Sequence, residues 1–263
     1  MEIYEFTRGT IPLVMSIPHV GEYIPPRTEA RMTSAAAERS DTDWHLDRLY
    51  KDAATLGLHV LKATHSRYVI DLNRSPDNVS LYPGQNVTEL VPTSTFAETP
   101  LYPAGQEPDD AEITQRLEIY WQPYHSQLQK TLAALKNEHG YAILFDCHSI
   151  KSTVPRFFDG QLPDFNLGTA AGESCAPELR AKLSEALSRD DRYTLAVDGR
   201  FKGGYITRQY GNPDDDIHAF QLELSTATYM DEEPTVAWRE DFANEVRPSL
   251  IGMLEVAADW QPA

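Results

Sequence analysis

Four apolar residues, Ala142 to Phe145, run directly into Asp146, Cys147, His148 and Ser149. A short apolar run closed by polar residues is the pattern of a strand buried in a parallel sheet, which places the chain in the α/β class. The polar residues then stand at the strand's C-terminal end, the edge at which open α/β sheets bind ligands. Strand alternation sets Asp146 and His148 on one face and Phe145 and Cys147 on the other. An imidazole with a carboxylate beside it recurs at metal ions. A hydrogen-bonded histidine closing a strand is the plainer alternative.

Other stretches end in the same manner. Ile11 to Ile17 reads as a strand and is followed by Pro18-His19-Val20-Gly21-Glu22, so an imidazole and a carboxylate leave the sheet together. A surface His and Glu are the bland reading of that pair. Residues 25–40 read as a loop with a helical piece around Ser34 to Glu38. Asp41-Thr42-Asp43 is expected to open a helix with Leu46, Leu49, Tyr50, Ala53 and Ala54 on its apolar side. One of the two aspartates is expected to cap that helix, which leaves the other able to act as a carboxylate ligand.

Leu58 to Ala63 and Tyr68 to Leu72 read as further strands. The latter ends in Asp71-Leu72-Asn73-Arg74, where Arg74 is either an anion clamp or the partner of Asp71. Residues 75–108 carry many Pro, Gly, Thr and Asn and form a long loop, of the kind that often covers a site. Asp109 to Glu138 is the longest helical pattern, with one apolar stripe from Ile113 to Leu135 that Pro123 should bend or interrupt. Ser152 to Gly172 reads as loop, Glu178 to Leu187 as a helix with Pro177 in its first turn, and Tyr193 to Val197 as a strand.

Gly199 to Arg208 then gathers Arg200, Lys202 and Arg208 with three glycines. Glycine permits close backbone approach, and arginine can hold a carboxylate through two hydrogen bonds. A surface hairpin with solvated charges is the alternative. His218 to Leu224 is the last central strand and contains Glu223, a carboxylate that is costly to bury unless paired or put to use. Arg239 to Ala258 closes as an amphipathic helix.

The charge balance excludes one broad class. With 40 acidic against 23 basic side chains and a net charge of −17, the 263-residue chain is unsuited to grip a nucleic-acid backbone. A locally basic site for a small anionic substrate remains compatible with an acidic surface. No apolar run approaches the roughly 20 residues of a membrane span, and the N-terminus lacks the basic and apolar regions of a signal peptide. Two cysteines, Cys147 and Cys175, give no disulfide framework. The expectation is a cytoplasmic protein with residues 1–263 as a single domain; a homo-oligomer is left open.

Taken together, His19, an acidic group near it and His148 make up two imidazoles and one carboxylate, the donor set of catalytic zinc. Glu223 would stand beside the attacking water as general base. Arg74, Arg200 and Arg208 would hold the anion. The parts suit metal-assisted hydrolysis of an amide on a small acidic molecule. No Gly-x-Ser-x-Gly surrounds Ser149 or Cys147, which argues against a serine or cysteine hydrolase.

The chain also resembles the N-formylglutamate deformylase (N-formylglutamate amidohydrolase) family over nearly its whole length. The matching stretches are Ser16-Ile-Pro-His-Val-Gly21, Asp41-Thr-Asp-Trp-His45, Ser66-Arg-Tyr-Val-Ile-Asp-Leu-Asn-Arg74 and Asp146-Cys-His-Ser-Ile150. They continue with Phe158 to Thr169, Gly199 to Arg208 and Gln221-Leu-Glu-Leu224. The resemblance implies hydrolysis of N-formyl-L-glutamate to formate and L-glutamate in histidine degradation. It also implies a three-layer, mixed and mostly parallel sheet between helices, similar to zinc carboxypeptidases.

By the same resemblance His19 and His148 are metal ligands and Glu223 is the catalytic base. The carboxylate ligand is Asp43, since Asp-Thr-Asp belongs to the family pattern. Glu22, at the carboxypeptidase spacing, and Asp41 are the alternatives. Asn73, Arg74, Arg200 and Arg208 are expected to bind substrate. One divalent ion is implied, zinc by ligand type, with cobalt, manganese or iron also compatible. A metal-dependent deacylase of another N-acyl acidic amino acid and a non-catalytic binder of acidic metabolites are the alternative functions.

Overall fold

The computed structural model describes residues 1–79, 84, 86–233 and 236–262. Its strands are β1 (Tyr4–Thr7), β2 (Leu13–Ile17), β3 (His59–Ala63), β4 (Ala142–Ile150), β5 (Phe165–Gly168), β6 (Leu195–Val197) and β7 (Ile217–Ser225). They form one seven-stranded sheet in the order β1-β3-β2-β4-β7-β5-β6. The central β3, β2, β4 and β7 are parallel, whereas β1 runs antiparallel to β3 and β5 antiparallel to β7. Helices cover both faces, as expected of a mixed three-layer α/β fold.

Every residue of β4 is buried, and its alternation sorts the layers. Ile143, Phe145 and Cys147 pack with Leu222 and Leu224 of β7 against Val246, Leu250 and Met253 of the helix Glu240–Asp259. Ala142 and Leu144 face the other way, with Val14, Leu61 and Ala219, onto Tyr124, Leu128 and Leu132 of the helix Gln122–His139. Each such fully buried aliphatic side chain is worth about 1.5–3 kcal/mol.

Along that second face the strands change character at their C-terminal ends. Leu144 is followed by Asp146 and His148, Ala219 by Gln221 and Glu223, and Val14 by Ser16. The register lines Asp146 up with Ser16 and Gln221, and His148 with Glu223. Two polar rows therefore replace the apolar layer where the site lies.

The long helical pattern is interrupted near Pro123, as expected. A helix Asp110–Arg116, with Asp109 accepting from the Glu112 N–H, passes through a π-helical turn at Leu117–Trp121 into the helix Gln122–His139. Proline cannot donate to a preceding carbonyl, and a wider turn accommodates the lost bond.

Three local expectations need correction. Tyr68 to Leu72 is not a strand: Val69 N–H bonds Ser66 and Arg74 N–H bonds Asp71, so the segment turns. Its apolar side chains divide between two clusters, Tyr68 and Val69 against Leu101 and Tyr102, Ile70 and Leu72 against the main layer. Within the expected loop 152–172, Phe165–Gly168 forms β5 by pairing with β7. The helix after Asp43 covers only Leu46–Leu49, and His45, at φ 63°, precedes it. Neither aspartate caps that helix. Of the loop 75–108, residues 80–83 and 85 lie outside the described set.

Candidate metal and substrate site

Four segments bring carboxylates and imidazoles to one buried point. His19 follows β2, Asp43 lies before the short helix, His148 ends β4 and Glu223 ends β7; their exposures are 3, 1, 3 and 8%. One ligand atom each from His19, Asp43 and His148 lie within 4.8 Å of one another. Nδ1 of His19 is 3.8 Å and Nδ1 of His148 3.3 Å from Asp43 Oδ2, and the two rings are 4.8 Å apart.

The opposite ring nitrogens are committed elsewhere. His19 Nε2 lies 2.7 Å from Asp71 Oδ1, and His148 Nε2 3.1 Å from Asp146 Oδ2. Since a carboxylate only accepts, His19 Nε2 carries hydrogen and its Nδ1 turns a lone pair toward the Asp43 side, whereas His148 Nε2 is shared between Asp146 and the Asn73 amide and its Nδ1 faces Asp43. Aspartates acting behind histidines in this way are a recurrent device at metal centres.

Charge in the site is unbalanced. Asp43, Asp71, Asp146 and Glu223 share the site with the buried Arg67, whose Nη2 is 2.6 Å from Asp71 and Nη1 3.8 Å from Asp43. Burial opposes ionisation of Asp71, but Arg67, His19 and Arg74 outweigh it and hold its carboxyl well below the usual range. Burial, helped by Arg67, lowers His19. Burial also works against a charged His148, but Asp146, Asp43 and Glu223 prevail and raise it well above the ordinary value. Glu223 is pushed up to about 8, chiefly by burial, with His148 opposing and Asp43 adding to the rise. Four buried carboxyl groups beside two Nδ1 atoms suit a divalent cation, whose binding would displace the protons that those groups otherwise hold.

Glu223 is held by its neighbour two residues back. Gln221 Oε1 accepts the Gly204 N–H at 2.7 Å, which leaves Gln221 Nε2 to donate to Glu223 Oε2 at 3.3 Å. Gly204 is required at this point, because a Cβ there would sit 2.3 Å from Asn73 Nδ2.

Beside the centre lies a cavity of about 310 Å³ whose lining includes Asn73, Arg74, Thr88, Arg200, Gly204 and Gln221. Arg74 donates to Thr88 O, Thr88 Oγ1 and Asn73 O, and lies 3.9 Å from Asp71, so it is braced and still borders the cavity. Arg200 donates to Phe157 O. The glycine-rich stretch is no hairpin; it leads into a helix at Tyr205–Tyr210.

Four expected or alternative residues sit differently. Arg208 is outside the cavity lining, and its Nε donates to Gly203 O. Asn73 borders the cavity, but its amide is already engaged. Its Oδ1 accepts the Ile206 N–H at 2.8 Å, its Nδ2 donates to Asp146 at 3.2 Å, and it lies 2.9 Å from His148 Nε2. It therefore braces the centre. Glu22 is exposed and is not part of the buried His19, Asp43 and His148 group. Asp41 is turned to the Phe96 N–H and Ser40.

Asp71 and Arg67 escaped the sequence reading as site groups. Their spacing of four residues in the Ser66 to Arg74 stretch was the available signal.

Comparison with known proteins followed the same lines. The chain matches the sequence profile described as N-formylglutamate amidohydrolase over residues 11–230. It is 46% identical to an N-formylglutamate deformylase of Pseudomonas aeruginosa, over 98% of this chain and 97% of that one. It is 42% identical to an N-formylglutamate deformylase of Pseudomonas putida with the same coverage. Among solved structures, an N-formylglutamate amidohydrolase from Ralstonia eutropha superposes with a TM-score of 0.85 at 26% identity, covering 98% of each chain. A gene product of Agrobacterium tumefaciens, at 14% identity and a TM-score of 0.69 over 98% of this chain and 93% of that one, shares the fold.

Proposed function

This chain belongs to the N-formylglutamate amidohydrolase family, and from that premise we propose that it hydrolyses N-formyl-L-glutamate to formate and L-glutamate, the deformylation step of histidine degradation. We read residues 1–263 as one catalytic unit. The observation that carries the reading is the buried convergence of His19, Asp43 and His148, with both Nδ1 atoms turned toward one carboxylate oxygen.

That donor set fits a single divalent ion held by two imidazoles and a carboxylate. Zinc suits these ligands, and cobalt, manganese or iron are compatible with them. Bound there, the ion supplies polarisation of the formyl oxygen and a lowered pKa for water, towards about 7. Asp71 holds the His19 ring in the required tautomer, and Asp146 and Asn73 steady the His148 ring.

Glu223 takes the proton from the attacking water and passes it to the departing nitrogen. Buried beside the metal ligands, its carboxyl is placed for both halves of that transfer. Gln221 keeps the carboxylate aimed. Arg74 and Arg200, across the cavity, pair with the two carboxylates of the substrate and so fix the formyl carbon. A cavity of about 310 Å³ matches a small molecule.

Metal analysis combined with a formate-release assay, before and after chelation, tests the reading. Activity that vanishes on chelation and returns with a divalent ion supports it; full turnover by metal-free protein rejects it. Relative rates on formyl, acetyl and larger acyl glutamates separate a deformylase from a broader deacylase.

A further inference from the structure

Asn166 carries an unfilled acceptor in the row that holds Glu223. It is paired with Glu223 across the β5–β7 ladder, and Glu223 is paired with His148 across β7–β4. Directly paired residues share a sheet face. Its neighbours Phe165 and Leu167 enter the apolar layer on the other face. Asn166, Glu223 and His148 therefore form one row across three strands.

The orientation of its carboxamide follows from its partners. Nδ2 donates to Pro163 O at 2.7 Å and to Glu223 O at 3.1 Å, which uses both amide hydrogens. The reversed amide would set an oxygen against two carbonyl oxygens. The remaining atom is therefore Oδ1. The side chain is 2% exposed, and Oδ1 has no hydrogen-bond partner among the described residues. Folding seldom leaves a buried acceptor unfilled unless a ligand or water fills it. Of the other unpartnered buried oxygens on this face, Asp146 Oδ1 lies one row deeper, on the side that His148 turns its Nε2 toward, and Ser225 Oγ lies one row further out, beyond Glu223.

We propose that Asn166 Oδ1 accepts the N–H of the scissile amide and makes the enzyme selective for amides over the matching esters. This rests on the deformylase reading above. At neutral pH the two carboxylates of formylglutamate donate nothing, so its formamide N–H is the single donor the substrate offers. An acceptor beside the general base matches that donor. With the hydrogen held by Asn166, the nitrogen lone pair that is released as amide resonance is lost stays available for the proton carried by Glu223. No bond to Asn166 forms or breaks. An ester oxygen at the same position would present lone pairs to Oδ1, and sites built around a hydrogen bond reject analogues that lack it.

The test compares N-formyl-L-glutamate with the formyl ester of L-2-hydroxyglutarate, in the metal-loaded wild-type enzyme and in Asn166→Ala. Each kcat/KM is divided by the hydroxide-catalysed rate of the same compound, which removes intrinsic reactivity. The wild type is expected to favour the amide by at least about tenfold, the loss typical of one unpaired buried acceptor. In Asn166→Ala that preference should fall to within about threefold of unity, with amide turnover reduced and ester turnover nearly retained. Equal normalised rates in the wild type, or an undiminished preference in the variant, overturn the proposal. If Asn166→Ala does not fold, the wild-type ratio alone decides. An enzyme that hydrolyses neither compound overturns the deformylase reading, and this inference with it; one that hydrolyses both equally overturns the role of Asn166 alone.

Discussion

His125 makes the acid sensitivity of the site measurable. Its ring is 4% exposed and stacks on Trp121 at 3.7 Å. Nε2 lies 2.8 Å from Leu72 O, so it carries the hydrogen, and Nδ1 accepts from Tyr210 OH at 2.9 Å. The Leu72 carbonyl lies between Asp71 and Asn73, so this bond secures the segment behind both histidines. Burial lowers the His125 pKa from 6.5 to about 4. A depressed histidine binds protons more weakly in the folded state. Its contribution is therefore complete above pH 6.5 and is lost as pH falls through about 4. The displacement of about 2.5 pH units, at about 1.4 kcal/mol each, caps the loss at about 3 kcal/mol, of which about 2 kcal/mol is reached by pH 5. His125→Gln keeps a donor for Leu72 O and removes the titration. Urea unfolding of both proteins from pH 8 to pH 5 should show the variant less stable at pH 8, through lost stacking. Its decline toward pH 5 should be shallower than that of the wild type by about 2 kcal/mol. Parallel curves would refute the reasoning. Other buried histidines, such as His65, titrate alike in both proteins and cancel.

Three further outcomes are expected. Asp43→Ala should lose bound metal by elemental analysis whereas Glu22→Ala should keep it, and metal retained by the Asp43 variant would reject that ligand. Arg74→Ala and Arg200→Ala should each raise KM by about ten- to a hundredfold, the range for losing a charged hydrogen bond, with a smaller change in kcat; unchanged steady-state kinetics in both would remove them from the substrate site. Gln221→Leu should lower kcat about tenfold, since Glu223 loses its lateral donor, while KM and metal content stay nearly constant; a change confined to KM would count against that role.

Much of the architecture is legible wherever local pattern and burial agree. Ala142 to Ile150 declares itself because it is apolar on both faces until Asp146, and Pro177 and Pro123 mark a helix start and an interruption. The site is legible as strand ends: His19 follows β2 and His148 lies near the end of β4, and these strands are adjacent in the sheet. What escapes the sequence is set by tertiary contact. Asp71 is the partner of His19 only because a turn at Tyr68 to Leu72, which reads as a strand by composition, carries it there. Phe165 to Gly168 is too short and too polar to announce a strand, and β7 makes it one. Asp41 and Asp43 look like caps, but the left-handed His45 delays the helix and frees both carboxylates for other partners.

The π-helical turn places Trp121 and His125 one after the other along the same wall, and what they seize is main chain. Trp121 Nε1 donates to Arg74 O and His125 Nε2 to Leu72 O, the carbonyls on either side of Asn73. Such a fastening is indifferent to the side chain that position 74 carries. For an engineer this makes residue 74 an interchangeable fitting on a bolted frame. Libraries that aim the catalyst at uncharged formylated amines can begin there with the scaffold already secured, at the cost of the bonds Arg74 makes to Thr88 and Asn73 O and of its ion pair with Asp71.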